Sequence, residues 1–226
     1  MIQPEMLSEM TKLVLTNAIY FKGLWANQFD PDNTYETEFT LASHDTVSVD
    51  MMSEENDYNY TETDNLQILE LDYSGNNLSM IIVLPKGNNI SIAESKINAE
   101  NLSNWMEDFY EIEIDVRIPK FKFEKKYNLN NMLKSMGIID AFLPGVADFS
   151  GMDGTDYLYI GTALHQSYVE VNEEGTEAAA ATAIIMEATA YPEYKQFIAD
   201  HPFIFLIQHK ETDAILFMGK VLDPSE

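Results

Sequence analysis

Residues 169–202 read VEVNEEGTEAAAATAIIMEATAYPEYKQFIADHP, and the choice of fold turns on how this stretch is taken. It opens as an alternating strand, with Val169 and Val171 on one face and Glu170 on the other. Glu173, Glu174, Gly175 and Thr176 then lead through Glu177 into a run of alanines, Ala178, Ala179, Ala180 and Ala181, followed by the apolar Ile184-Ile185-Met186 and a polar run. One reading is a surface loop with a short helix, because alanine is the best helix former and Glu173, Glu174 and Glu177 suit a helix N-terminus. The other is a segment that lives in two states, exposed in one and inserted into a sheet as a strand in the other. With period two, Thr176, Ala178, Ala180 and Thr182 share a face, and Glu177, Ala179 and Ala181 share the opposite one. A strand entering a packed sheet with bulky side chains would meet overpacking costs of about 1–3 kcal/mol each, which these small residues avoid. Gly175 supplies the free backbone rotation that a hinge uses.

The rest of the chain can house such a sheet. With 226 residues, 46% of them hydrophobic, it can bury a substantial core. No run approaches the roughly twenty apolar residues of a membrane span, and the opening MIQPEMLSEMTK lacks the basic end and apolar centre of a secretion signal. A formal charge of −25 opposes nucleic acid, heparin-like polyanions and acidic membranes alike. The absence of cysteine excludes disulfides and thiolate metal sites. Four sequons, at Asn59, Asn77, Asn89 and Asn101, are expected to be chance in so asparagine-rich a chain.

Leu13 to Phe21 is an apolar run with β-branched and aromatic members, and reads as a buried central strand. From Glu36 to Pro85 the pattern is a β-meander of short strands: TEFTL, TVSVDMM, YNYTET, LQILELDY and LSMIIVLP. Asp72 to Asn77 is a hairpin signal, with Gly75 or an asparagine able to take positive φ, and Met51-Met52 reads as core filler. Ile90 to Tyr110 has helical spacing with a cap at Ser91. Glu111 to Glu124 alternates as one long strand, and Asn128 is expected to cap a helix that Gly137 ends. Leu158 to Val171 is a further strand, and PFIFLIQ and AILFMGKVL form a terminal pair whose near-continuous apolar character predicts that both faces are covered. The class is mixed α+β, one unit dominated by antiparallel sheet.

Catalytic machinery is not expected. His44, His165, His201 and His209 lie in no metal-binding or paired-histidine motif, and no phosphate-binding glycine loop or nucleophile elbow is present. No metal or cofactor is called for.

The run from Glu173 to Thr182 resembles the hinge of the reactive-centre loop of the serpins, the serine protease inhibitor family. LVLTNAIYFKGLW at 13–25, RIPKFKFEKKYNLNNMLKSMGIIDAF at 117–142, ADFSGM at 147–152 and HPFIFLIQHKETDAILFMGKVLDP at 201–224 are similar to family segments and follow in the family's order. The resemblance implies a partial serpin fold, with residues 1–226 as the C-terminal portion of a single serpin domain and the hinge and loop at about 173–200. The first two strands of sheet A and its surrounding helices are then expected to be absent, which would leave an apolar edge at Leu13 to Phe21.

Suicide-substrate inhibition of a serine protease follows from the resemblance. The family's hinge-to-bond spacing places the cleaved bond at Thr189-Ala190, which suits an elastase-like or subtilisin-like enzyme. Tyr191 would instead bait a chymotrypsin-like one, and Met186 is a weaker third choice. Asn17, Trp25 and His165 match positions that close the gap in sheet A, where His165 bonds the asparagine, and Lys120 with Glu173 match an ion pair at its top. On composition alone Trp25 and His165 read as core residues. The family setting implied is extracellular, with a cytoplasmic one left open by the missing signal. The alternatives are a non-inhibitory carrier, storage or chaperone serpin, against which the small hinge residues weigh, and an inert truncated fragment.

Overall fold

Asp72 to Asn77 turns as its residues predict: Gly75 and Asn76 have φ of +91° and +54°, and Tyr73 N donates to Leu78 O. This hairpin lies within a large mixed sheet in a computed structural model that describes residues 2, 12–176 and 195–225. The strands are β1 (Leu13–Tyr20), β2 (Gly23–Leu24), β3 (Tyr35–Thr40), β4 (Thr46–Glu62), β5 (Leu66–Asp72), β6 (Leu78–Pro85), β7 (Tyr110–Pro119), β8 (Phe121–Asn128), β9 (Ile160–Val171), β10 (Gly175–Thr176), β11 (Lys195–Ile198), β12 (Phe203–His209) and β13 (Ala214–Val221). The helices are α1 (Ile90–Lys96), α2 (Ala99–Glu107), α3 (Asn130–Ser135) and α4 (Ser150–Asp153).

The chain divides into two compact units, residues 1–21 with 123–169 and residues 22–122 with 170–226. In the second, the large sheet runs β11-β7-β4-β5-β6-β12-β13, with β3 also paired to β4. The two predicted strands TVSVDMM and YNYTET are one, β4, because the residues between them stay paired to β7, Ser53 with Arg117 through Asp57 with Glu113. Conversely, Glu111 to Glu124 is two strands. β7 ends at Pro119, whose ring nitrogen cannot donate to a ladder, and β8 joins another sheet. Helices α1 and α2 cover one face of the large sheet, packing Ala93, Leu102 and Trp105 on Leu66, Ile68, Ile81, Val83, Ile204 and Leu206. Their caps are Asn89 and Asn98 rather than Ser91: each asparagine side chain accepts from a first-turn amide, Ser91 N and Asn101 N. Met51 and Met52 are buried, as core filler should be.

In the first unit a three-stranded sheet has the order β1-β9-β8, and β1 and β9 run parallel from Leu13↔Ile160 to Tyr20↔Tyr168. The core gathers Phe142, Ile160 and Ala163 with Leu13, Leu129 and Leu133. The expectation of a buried central strand at Leu13 to Phe21 is not met: β1 is an edge strand, with Leu15 and Tyr20 exposed at 42% and 55%. An apolar run states what a strand could bury. Among the described residues only β9 pairs with it. β13 departs in the same way, paired on one side to β12 with Ile215, Leu216 and Met218 exposed. Asn128 accepts from Asn130 N, but the cap position of α3 is Leu129, whose apolar side chain makes no cap bond, and the Asn130 side chain ties the helix start to β9 through Gly161 O and Ala163 N. Further along, α4 is ended by Gly154 at φ +77°.

Candidate functional site

The chain reverses immediately after β9. Asn172 N donates to Gly175 O at 2.9 Å and Gly175 N to Asn172 O at 3.2 Å, so Glu173-Glu174 is the tip of a two-residue turn. Asn172 Oδ1 fixes that tip by accepting from Glu174 N at 3.2 Å. On its far side β10 pairs antiparallel with β2, Gly175 opposite Leu24 and Thr176 opposite Gly23. Gly175 is therefore flanked on both sides, hydrogen-bonded to Asn172 and lying opposite Leu24, next to the Trp25 N–Glu174 O bond. At φ +145°, a Cβ here would lie 2.2 Å from Gly23 O and 2.7 Å from Leu24 Cα, backbone atoms that cannot give way, so only glycine fits.

Side chains hold the turn from below and above. Thr176 is fully buried, and its hydroxyl lies 3.1 Å from that of Tyr73. The Tyr73 ring stacks on Trp25 with centroids 4.6 Å apart and planes at 17°. Trp25 bonds the turn twice, Nε1 to Asn172 O at 3.0 Å and its amide to Glu174 O at 2.9 Å. The Glu173 carboxylate accepts from Thr34 Oγ1 at 2.8 Å and pairs with Lys120 Nζ at 3.2 Å, while Phe29 N donates to its carbonyl at 2.9 Å. Burial alone would raise the Glu173 pKa, but its own amide, Thr34 and Lys120 outweigh it and hold the carboxyl below the usual range. Burial pushes the Tyr73 phenol up, so it stays a neutral hydrogen-bonding hydroxyl.

The chain re-enters the same unit at β11, which pairs parallel with β7 from Lys195↔Ile114 to Ile198↔Arg117. Lys195 Nζ meets Glu62 at 2.6 Å and lies over the Tyr60 ring, and Lys86 reaches the same carboxylate at 2.9 Å. Lys195, then Lys86, draw the Glu62 pKa down to about 2. Beyond β11 the His201 ring has an oxygen on each side, Asp200 Oδ1 and Pro85 O, both at 2.7 Å.

Of the residues expected to control sheet opening, Trp25, Lys120 and Glu173 come together here. Asn17 and His165 are register neighbours across β1 and β9 in the other unit, where the His165 ring stacks on Tyr127 at 6.3 Å. Glu177, Ala178, Ala179, Ala180 and Ala181, the bond at Thr189-Ala190, and the alternatives Tyr191 and Met186 lie outside the described residues. Sequence reasoning missed Tyr73, Thr34, Asn172, Glu62 and His201 as anchors. Asn172 carried a signal, a turn-forming residue ahead of Glu-Glu-Gly; the others are contributed from far along the chain. Among the described residues, no group of three or more His, Cys, Asp or Glu is placed to hold a metal ion.

This arrangement of sheet and turn belongs to a known class. Residues 1–224 match the Serpin family, described as serine protease inhibitor, and the chain belongs to that family. It is 43% identical to the leukocyte elastase inhibitor of Xenopus laevis, over 98% of this chain and 62% of that protein. Identity is also 43% to human Serpin B11, over 94% and 55%, and 47% to an uncharacterized serpin-like protein of Methanosarcina acetivorans, over 95% and 50%. Among solved structures it is similar to human thyroxine-binding globulin complexed with thyroxine (TM-score 0.89, 33% identity, 100% of this chain and 59% of that one). Uncleaved ovalbumin is similar as well (TM-score 0.86, 34% identity, 99% and 57%). The chain thus has a partial serpin fold and spans 50–62% of the length of these three curated relatives.

Proposed function

We propose that residues 1–226 are the C-terminal portion of a single serpin domain, and that the full-length protein inhibits a serine endopeptidase as a suicide substrate. The observation that carries this is the turn at Glu173-Glu174: Gly175 is already bonded to Asn172 on one side and paired opposite Leu24 on the other. In this reading Gly175 is the point from which insertion starts. Residues 177–182 continuing in that direction would run antiparallel to β9, and to β1, which is parallel to β9. Opening that pair loses one parallel ladder, and the inserted strand makes two antiparallel ones, the somewhat stronger pairing per residue. Each added backbone bond contributes a net of about 0.5–1.5 kcal/mol. Small residues at 178–181 let the strand enter without overpacking.

In this reading the protease serine attacks the carbonyl carbon of Thr189, Ala190 leaves as the new amino terminus, and insertion outruns hydrolysis of the acyl-enzyme ester. A small β-branched residue before the bond suits an elastase-like or subtilisin-like pocket, and a relative named leukocyte elastase inhibitor supports the elastase-like choice. Nothing in the relatives' names supports the extracellular setting expected above, and the proposed activity does not require one. The test is incubation of the full-length protein with elastase-like, subtilisin-like and chymotrypsin-like proteases. A covalent adduct that survives boiling in detergent, with a new amino terminus at Ala190, is expected. A nicked loop without adduct for every enzyme removes the proposal and leaves a non-inhibitory serpin.

A further inference from the structure

We propose that Tyr73 is a positioning residue that pins the register of the inserting strand through Thr176; this rests on the inhibitory reading and specifies how the same hinge is controlled. Thr176 is the point from which a two-faced segment must be laid down. A slip of one residue in a strand sends every side chain to the opposite face. For this chain a slip would exchange Thr176, Ala178, Ala180 and Thr182 for Glu177, Ala179 and Ala181, and would press a carboxylate inward. The antiparallel pairing with β2 is only two residues long, so a side-chain bond at its end adds to the hold on register that the glycine's fit supplies. A bond from a rigid side chain to one defined hydroxyl selects it.

Tyr73 has the properties such a pin needs. Its side chain is buried, it stands where β5 gives way to the hairpin, and its ring is fixed by stacking on Trp25. The Tyr73–Thr176 bond links residues 103 apart in sequence, and both partners are buried. Trp25 anchors the other end of the same short segment through Asn172 O and Glu174 O. Thr176 is thus held in place from the side of the β5–β6 hairpin, and the turn behind it from the side of β2. Because Thr176 is already buried in the pairing that insertion extends, the bond has no need to break as the strand lengthens.

The experiment is a double-mutant cycle on hinge opening in the full-length protein, with Tyr73→Phe, Thr176→Val and the double variant. It is read by hydrogen exchange of the peptide covering 172–176, and the β5 and β6 peptides report that the fold is intact. Each single change is expected to speed hinge exchange roughly five-fold, as loss of one buried hydrogen bond does, and the double change no more than either alone. Thr176→Ser, which keeps the hydroxyl, restores slow exchange. With an elastase-like protease, Tyr73→Phe raises the proportion of inhibitor cleaved without trapping, while the first cleavage rate is unchanged. Unchanged exchange in the single variants, or effects that simply multiply in the double, overturns the pin. If no protease is trapped yet the cycle is coupled, the pin stands and the inhibitory reading falls. If trapping occurs and the cycle is uncoupled, only the pin falls.

Discussion

His201 faces an oxygen from each ring nitrogen, and only the imidazolium can donate to both Asp200 and Pro85. Burial opposes the charge, but those two acceptors win and raise its pKa above 6.5. A raised value stabilises the return of the chain fully below 6.5 and loses that contribution as pH climbs through the folded pKa. Glu173 has the opposite sign. Its carboxyl is depressed, so its bonds to Thr34 and Lys120 count above 4.5 and are lost as pH falls through the folded pKa. A pH series of hydrogen exchange, corrected for intrinsic rates, is therefore expected to loosen the 172–176 peptide in acid and the 199–202 peptide toward alkaline pH. Exchange of both peptides rising on the same side of neutrality would contradict the assignment. The Lys120 pair, with the lysine side chain 37% exposed, accounts for no more than about 1 kcal/mol of the acid effect. At this scale sequence was a partial guide: Lys120 and Glu173 could be paired by family likeness, whereas the pairing of Tyr73 with Thr176 needed the fold to bring them together.

Among the elements, the hinge strand is the one whose chemistry was most legible. Sequence marked Gly175 as a hinge and the small residues at period two as suited to a strand entering a sheet, while the reversal at Glu173-Glu174 just ahead of that glycine came from the structure. Thr176 is fully buried at the head of that strand, which makes it the place to test insertion. Thr176→Arg would bury a charge without a partner. Because Thr176 is already buried before insertion, the arginine first unseats the hinge, and of the penalty for burying it again as the strand enters about 1.4 kcal/mol is enough to slow the step tenfold. The full-length variant is expected to be cleaved as a substrate with at least tenfold less trapped adduct, measured by titration against the protease. Equal trapping by variant and parent would contradict insertion from this point. The strand boundaries that sequence misplaced share a physical cause. A continuous β4 was read as two because turn-forming Ser, Glu, Asn and Asp residues occupy its middle, yet pairing with β7 carries it straight through. Apolar β1 and β13 were read as buried, but burial is a property of neighbours, which hydropathy alone does not report.

For the whole molecule, the family and fold class could be read from segments in fixed order, and the sheets then follow that plan. The acidic balance of −25 was equally plain and weighs against a polyanionic partner. The proposed metastability is less legible, because it concerns a state with one more strand than this one. In that state an inserted segment of about six residues would add several net hydrogen bonds, on the order of 5 kcal/mol. At a few degrees per kcal/mol this corresponds to roughly 10 °C or more. The decisive measurement is the melting temperature of the full-length protein before and after a single proteolytic cut within residues 177–194. The account predicts a rise of roughly 10 °C or more on cleavage; an unchanged or lowered melting temperature would contradict it.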